Sequence, residues 1–282
     1  MTRLITGATG DIGSKVVNLL LDRGEHPRIF VRNQEKARKL FGDRVAIAVG
    51  DLADPASLQR ALEGVDALFL LNSGPDLAAR DKAAAGVAKA VGVKHLVKLS
   101  SMDARQEVGT GVWHAQGEAA IRASGISFTF VQPTGFMSNA LAWAPSIKAQ
   151  GILRSPTGHG KIPFIHSDDI AAVSVAVLAS RNYAFQALPI TGQEALSYAD
   201  MTAKIAAAIG KPLRFESVSE EEEQRQMAAE GDSPGMIAAH MSIYRAIREG
   251  RLATVTNNVE RVLGRRPITF DKWARDHAAA FL

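Results

Sequence analysis

Cysteine is absent from the 282 residues. Its absence excludes disulfides, thiolate metal sites and a cysteine nucleophile, and fits a reducing compartment. Aromatic residues are scarce at 6%, and the tyrosines, Tyr183, Tyr198 and Tyr244, all lie beyond residue 180. Long apolar runs are missing too. The most apolar stretch, around Ala171 to Ala179, is too short and too rich in small side chains to span a bilayer. The opening Met1-Thr2-Arg3-Leu4-Ile5-Thr6 lacks the charged start and apolar run of a signal peptide. Charge of one sign is nearly balanced, with 33 basic against 29 acidic residues. Arg245, Arg248, Arg251, Arg261, Arg265 and Arg266 lean the end of the chain positive, but no zinc-finger, basic-zipper or RNA-binding signature accompanies them. These absences predict a cytoplasmic protein with neither a membrane nor a nucleic-acid partner. What remains, 46% hydrophobic and 22% charged residues, is ordinary globular composition.

The first half alternates short β-rich runs with helical stretches. Arg3 to Thr6, Arg28 to Val31, Val45 to Val49, Ala67 to Leu71, His95 to Leu99 and Ser127 to Val131 read as strands. Between them, helices are expected over Asp11 to Arg23, Glu35 to Leu40, from Asp54-Pro55 onward, up to about Val91, and over His114 to Ala123. Near-continuous apolar strands imply a sheet covered on both faces, and strand–helix alternation implies parallel pairing with right-handed crossovers. The expected class is α/β, a doubly wound parallel sheet. After Pro133 the rhythm breaks into a Pro- and Gly-rich segment. A helix near Asp168 to Ala179 and a strand near Leu188 to Ile190 return to the sheet, and from Ser197 the chain reads as mostly helical. Ser219 with Glu222 makes a capping-box pattern.

Gly7-Ala8-Thr9-Gly10-Asp11-Ile12-Gly13 lies between the first strand and the first helix. Gly7 permits a tight turn, Gly10 lets backbone approach a pyrophosphate, and Gly13 lets helix pack on sheet, while the helix N-terminus offers N–H groups and positive dipole. This predicts a bound dinucleotide over Gly7, Thr9, Gly10, Asp11 and Ile12. About 20 residues on, where an acid would bond a ribose 2′-hydroxyl, the chain has Arg32-Asn33 followed by Lys36. Arg32 is a forked donor for a 2′-phosphate and Lys36 adds a point charge, so NADP(H) is the expected cofactor. Asp51 either reaches the adenine or is a turn carboxylate. Asn72 and Ser73 end the fourth strand at the switch point, where the cofactor should lie.

The glycine loop, Val31-Arg32-Asn33 with Lys36, Gly50-Asp51-Leu52, Leu99-Ser100-Ser101, Gln132-Pro133-Thr134-Gly135-Phe136-Met137 with Asn139, Phe164 to Ala171, and Leu263 to Pro267 with Phe270 together resemble the NmrA-like branch of the atypical short-chain dehydrogenase/reductases. The resemblance spans nearly the whole chain. It implies a Rossmann domain binding NADP(H) over residues 1–135 and 162–192. It further implies a smaller, mostly helical substrate domain over 136–161 and 193–282. Leu52, Ser100 and Pro133 join the implied cofactor contacts. The branch includes dye and quinone reductases and also regulators that bind the dinucleotide without turnover. Most short-chain reductases carry a Tyr-x-x-x-Lys pair after the fifth strand; here that stretch reads His114-Ala115-Gln116-Gly117-Glu118.

Two readings follow. The first is an NADPH-dependent reductase of an aromatic, quinone-like or conjugated carbonyl molecule, acting as monomer or homodimer. The second is a non-catalytic NADP(H) sensor that binds a protein partner. For the reductase, His114 either shares a proton with Glu118 one helical turn away or simply packs. Ser100 is the third candidate catalytic residue. Trp113, Phe136, Met137, Trp143, Phe164 and Met241 are the candidate substrate lining. His159, His166, Asp168 and Asp169 do not form a metal-ligand pattern, and Ser167-Asp168-Asp169 makes a good helix start.

Overall fold

The computed structural model describes residues 1–282. Strands β1 (Arg3–Thr6), β2 (Arg28–Val31), β3 (Ala46–Val49), β4 (Ala67–Leu70), β5 (His95–Leu99) and β6 (Phe128–Pro133) alternate with helices α1 (Asp11–Asp22), α2 (Gln34–Phe41), α3 (Pro55–Leu62), α4 (Leu77–Ala90) and α5 (Gly111–Ala123). The chain continues through α6 (Ala144–Gln150), β7 (Ile152–Ser155), β8 (Lys161–Ile162), α7 (Ser167–Ala179) and β9 (Gln186–Ile190). It closes with β10 (Leu196–Ser197), α8 (Tyr198–Ile209), β11 (Arg214–Ser217), α9 (Glu220–Ala229), α10 (Pro234–Arg248), α11 (Asn258–Leu263) and α12 (Phe270–Asp276). No helix is long and apolar enough to cross a membrane.

Seven strands form one parallel sheet in the order β3-β2-β1-β4-β5-β6-β9. The order reverses between β1 and β4, and the crevice beyond their carboxyl ends is where ligands bind in such sheets. Thr6 ties the two strand ends together: its hydroxyl donates to the Leu71 carbonyl at 2.9 Å and accepts from the Leu71 N–H at 2.8 Å. One apolar cluster packs α1 and α7 on the sheet, and a second packs α3, α4 and α5 on the other face. Burying Phe69 or Phe130 in these layers contributes about 1.5–3 kcal/mol each. A third cluster lies off the sheet and draws on Met137 to Phe164 and on Leu196 to Phe281, joined by Val108 from the loop after β5.

Asp54 and Pro55 start α3 as expected, the carboxylate accepting from Ala56 N–H at 3.0 Å. Other readings need correction. β3 is not buried on both faces, since it is the sheet edge and Val49 is 54% exposed. α5 begins at Gly111, ahead of His114. A Cβ at Gly111 would meet Asp103 backbone at 2.4 Å, so close packing on the preceding turn sets that boundary. Ser219 accepts from Glu222 N–H at 3.1 Å, but the reciprocal bond is not formed. The Pro- and Gly-rich segment holds ordered strands that find partners far along the chain, β7 with β11 in parallel and β8 with β10 antiparallel.

Candidate active site

The glycine turn sits at the carboxyl end of β1. Gly7 has φ +63°, a left-handed conformation that favours glycine, and a Cβ there would strike the Leu71 side chain at 2.8 Å. A Cβ at Gly13 would lie 2.1 Å from the Gly7 carbonyl, so α1 can rest on the turn only with glycine at that place. Gly10 is open: nothing but the Gly7 carbonyl lies near its Cβ direction, at 3.4 Å. Gly10 is also the N-cap of α1 and caps none of its amides with a side chain. The first-turn N–H groups of Asp11 and Ile12 therefore face the crevice as donors for an anion. Asp11 itself is a fastener, accepting from the Ser167 hydroxyl at 2.7 Å, while Lys15 pairs with Asp168 at 2.8 Å. Ile12 is buried, so only its backbone can serve a ligand. Thr9 is half-buried beside them.

Arg32 is exposed at the end of β2 and its guanidinium makes no ion pair or hydrogen bond. Lys36 is exposed one turn into α2, capped by Asn33. Asp51 makes a turn contact, its Oδ1 accepting from Ala53 N–H at 2.9 Å. Leu52 is half-buried and packs against the helical face of α3 to α5. Asn72 is buried and turned inward, its amide donating to the Leu77 carbonyl at 3.1 Å and to Asp81 at 3.3 Å, while Ser73 beside it is exposed.

Under the crevice lies a polar network that the sequence does not announce. Lys98 of β5 and Asp81 of α4 pair at 2.6 Å with no exposure of either side chain. The contact is ionic, its angles falling outside hydrogen-bond geometry. Gly117 of α5 makes room for it, since a Cβ there would lie 2.3 Å from Asp81 Oδ2. Glu118, buried one residue on, accepts from the Ser100 hydroxyl at 2.6 Å and from the Gln132 amide at 2.7 Å. These bonds clasp α5 to the ends of β5 and β6. They also correct the expectation of a proton shared between His114 and Glu118. Glu118 is held by Ser100 and Gln132, and His114 makes no hydrogen bond, its Nδ1 being buried without a partner. The Ser100 proton is likewise directed at Glu118 and away from the crevice.

Burial, and then the Lys98 charge, depress the His114 imidazole to about 3. The ring is therefore neutral through the working pH range, and a rate that falls as pH rises through an imidazole pKa near neutrality is not expected. The sign for stability follows. The folded value lies below the ordinary 6.5, so the contribution of the neutral ring is present above 6.5 and is lost as pH falls toward about 3. His95, lowered by burial to about 4, acts in the same direction. The urea midpoint should fall as pH is taken from 7 to 5, and His114→Gln should flatten that slope. A midpoint insensitive to pH over this range would contradict the assignment. Asp103, in the turn after Ser101, behaves oppositely: burial pushes its carboxyl up to about 6. It is the proton-bearing group of this loop closest to neutrality, and its isolated place in the sequence offered no signal for this.

Pro133 ends β6 beside Thr134, both buried. Of the candidate lining, Met137, Phe164 and Met241 are core side chains, whereas Trp113, Phe136 and Trp143 are half-buried. Phe164 lies over Gly135, where a Cβ would meet its ring at 2.6 Å. His166 caps α7 through Nδ1, which accepts from Asp168 N–H at 3.0 Å, and Asp169 pairs with Arg265 at 2.7 Å. An open depression of about 610 Å³ lined by Gly158, His159, Lys161 and Arg248 contains none of the site residues expected from sequence.

The model of the NmrA-like family matches residues 2–270. The chain belongs to the NmrA-like family. It is 37% identical over 281 residues to an NAD(P)H azoreductase of Xenophilus azovorans, covering 99% of this chain and 98% of that protein. It is also 37% identical over 283 residues to a (4-alkanoyl-5-oxo-2,5-dihydrofuran-3-yl)methyl phosphate reductase of Streptomyces griseus subsp. griseus, with 99% and 98% covered. Among solved structures, an NADPH-dependent quinone oxidoreductase of Escherichia coli complexed with NADPH superposes with a TM-score of 0.89. The identity there is 24%, with 98% of this chain and 99% of that chain covered. The likeness extends the family's fold over the NmrA-like chain from β1 to the last helices.

Proposed function

We propose that this NmrA-like chain is an NADPH-dependent reductase whose acceptor is an aromatic, quinone-like or conjugated carbonyl small molecule. The observation that carries the reading is the geometry at the switch point: open first-turn amides of α1 over a glycine turn, with an unpaired arginine at the end of β2. End-to-end similarity to an NAD(P)H azoreductase and to a second reductase supports it. Residues 1–135 and 162–192 form the cofactor half in this reading, and 136–161 with 193–282 the acceptor half. The third apolar cluster draws mainly on both latter stretches, and Val108, Ile162 and Phe164 join it from the cofactor half.

The uncapped amides hold the pyrophosphate, and Arg32 with Lys36 holds the 2′-phosphate. NADPH supplies a hydride when bound, and a quinone acceptor needs one proton besides. The chain's own contribution is a rigid floor under the crevice: Glu118 clasps the ends of β5 and β6, and the Lys98–Asp81 pair holds α4 against β5. His114 is neutral and lacks a base, so it orients or packs without delivering an imidazolium proton. The stretch from His114 to Glu118 stands where most short-chain reductases carry Tyr-x-x-x-Lys, and an acceptor whose reduced form is stable fits a site without that acid. Asp103 is the residue of this loop able to hold a proton near neutrality.

Two measurements test the proposal. NADPH consumption across quinones, azo dyes and aromatic ketones should be fast for at least one class. Failure with all of them would defeat the reductase reading. NADP(H) should bind at least about tenfold tighter than NAD(H), equivalent to about 1.4 kcal/mol, and Arg32→Ala should erase the difference. Equal affinities by calorimetry, or an unchanged ratio in the variant, would overturn the cofactor assignment. For His114→Phe, the rate on a quinone should stay within a few-fold of wild type. A loss of about a hundredfold, the scale of general acid catalysis, would restore the proton-donor role.

A further inference from the structure

The open depression of about 610 Å³ lies between the turn joining β7 to β8 and the end of α10. Residues 158–161 form one wall and residues 248–250 the other, with Ala253 the one hydrophobic contribution. The two walls are fastened to each other. A Cβ at Gly160 would lie 2.1 Å from the Ile247 carbonyl, so the turn touches the helix backbone. Arg248 donates to the Pro156 carbonyl at 3.1 Å and pairs with Glu220, which holds its guanidinium in one place. Gly158 sits at φ +55°, and the Gly160 N–H closes the turn on the Thr157 carbonyl at 3.1 Å. In the bend, the N–H groups of Gly158 and His159 bond to nothing in the protein. The Thr157 hydroxyl, in the same turn, is fully buried and has no partner.

The charge left over on this concave surface is positive. Lys161 and His159 are exposed and engage no acid. The acids that approach the depression are committed to other partners. Glu249 pairs with Arg251 at 2.9 Å, and Glu220 is clamped by Arg245 at 2.6 Å and by Arg248. Asp200 closes the capping box of α8, accepting from the Ser197 N–H at 2.9 Å. Its hydrogen bonds to Ser197, and then the charges of Lys161 and Lys204, hold its carboxyl below the usual range. The end of α10 is capped as well: the carbonyls of Arg245, Ala246 and Ile247 accept from Glu249, Arg251 and Gly250. Engaged carbonyls present less negative charge to a ligand than the bare end of a helix. Two nitrogens of Arg248 are used, and its Nε–H is left over.

Terminal phosphate oxygens accept several hydrogen bonds at once. An ammonium, a guanidinium N–H, an imidazole N–H and two backbone amides on one concave surface are donors of the kind that meet them. With one hydrophobic residue in its lining, the depression gives an aromatic acceptor little to bury against. We propose that it is an anion site for the phosphate group of a small phosphate monoester. Lys161, His159 and Arg248 are its side-chain donors, and the Gly158 and His159 amides its backbone donors. The site shares no residue with the glycine turn, Arg32 or Lys36, so it stands apart from the dinucleotide and from the reductase reading.

The test uses the full-length protein saturated with NADP⁺, so that the crevice is already filled, and titrates glycerol 3-phosphate and glycerol by calorimetry at low salt. The phosphate monoester should bind with a dissociation constant of about 1 mM or below, and glycerol should not bind. Lys161→Gln should weaken the monoester at least about fivefold, and His159→Gln combined with Lys161→Gln should remove its binding. Both side chains are exposed and make no bond in the fold, so these variants stay folded. Lys82→Gln, on the exposed face of α4, and Arg32→Ala should each leave the affinity within about twofold. No binding at about 10 mM, equal binding of glycerol, or an unchanged affinity in the double variant would overturn the site. So would an equal loss in Lys82→Gln, which would mark diffuse surface attraction. A loss in Arg32→Ala would place the anion at the cofactor crevice and overturn it too.

Discussion

Lys98→Met should lower folding stability by about 3–5 kcal/mol, because it leaves the Asp81 carboxylate buried with no opposing charge. The two side chains meet at 2.6 Å with no exposure, and the Asn72 amide at 3.3 Å is the other partner of that carboxylate. An ammonium removed here cannot be replaced by water without opening the α4–α5 packing. The paired variant Asp81→Leu with Lys98→Met should recover most of the loss, since two apolar side chains of similar size need no compensation. Urea denaturation of the three variants measures this. A single variant within about 1 kcal/mol of wild type, or a double variant no better than the single one, would mean that the pair is not the dry contact described. In the single variant His114 also loses the Lys98 charge that helps depress its pKa, so the acid-side fall in stability should become shallower.

Gly10→Val should abolish detectable dinucleotide binding while costing little stability. The Cβ direction at Gly10 meets nothing nearer than the Gly7 carbonyl at 3.4 Å, so the fold accepts a side chain. That side chain then occupies the approach to the α1 amides, where the pyrophosphate must come within hydrogen-bond distance. Gly13→Ala is the contrasting case. Its Cβ would sit 2.1 Å from the Gly7 carbonyl, so α1 must shift and stability, as well as binding, should suffer. Thermal melting with calorimetric titration of NADPH separates the two. Normal NADPH affinity in a folded Gly10→Val protein would show that the turn is not the phosphate site.

The first prediction concerns β5 and α4 and the second the turn after β1, and they differ in how visible their residues are in the chain. The glycine turn spans seven consecutive positions and obeys local rules: backbone conformation, cap and approach are decided by near neighbours in sequence. So do Asp54-Pro55 at the start of α3 and the strand–helix alternation that yields a parallel sheet. Arg32 is legible for the same reason, because the end of β2 is placed by the loop a fixed distance before it.

The network under the crevice was not legible. Lys98 and Asp81 come from a strand and a helix, and only the stacking of α4 and α5 on β5 brings an ammonium to a carboxylate out of water. Glu118 looked like a neighbour of His114 by helical spacing, yet the ends of β5 and β6 supply Ser100 and Gln132 and claim it first. The edge exposure of β3 depends on which strand stands last in the sheet, and β7 with β11 depends on a pairing across 62 residues from Arg154 to Glu216. Local conformation, caps and turns were thus determined by sequence alone, because their energies arise between residues a few positions apart. Protonation, burial and the pairing of distant polar groups were decided by tertiary packing, because they depend on which surfaces are taken from water together.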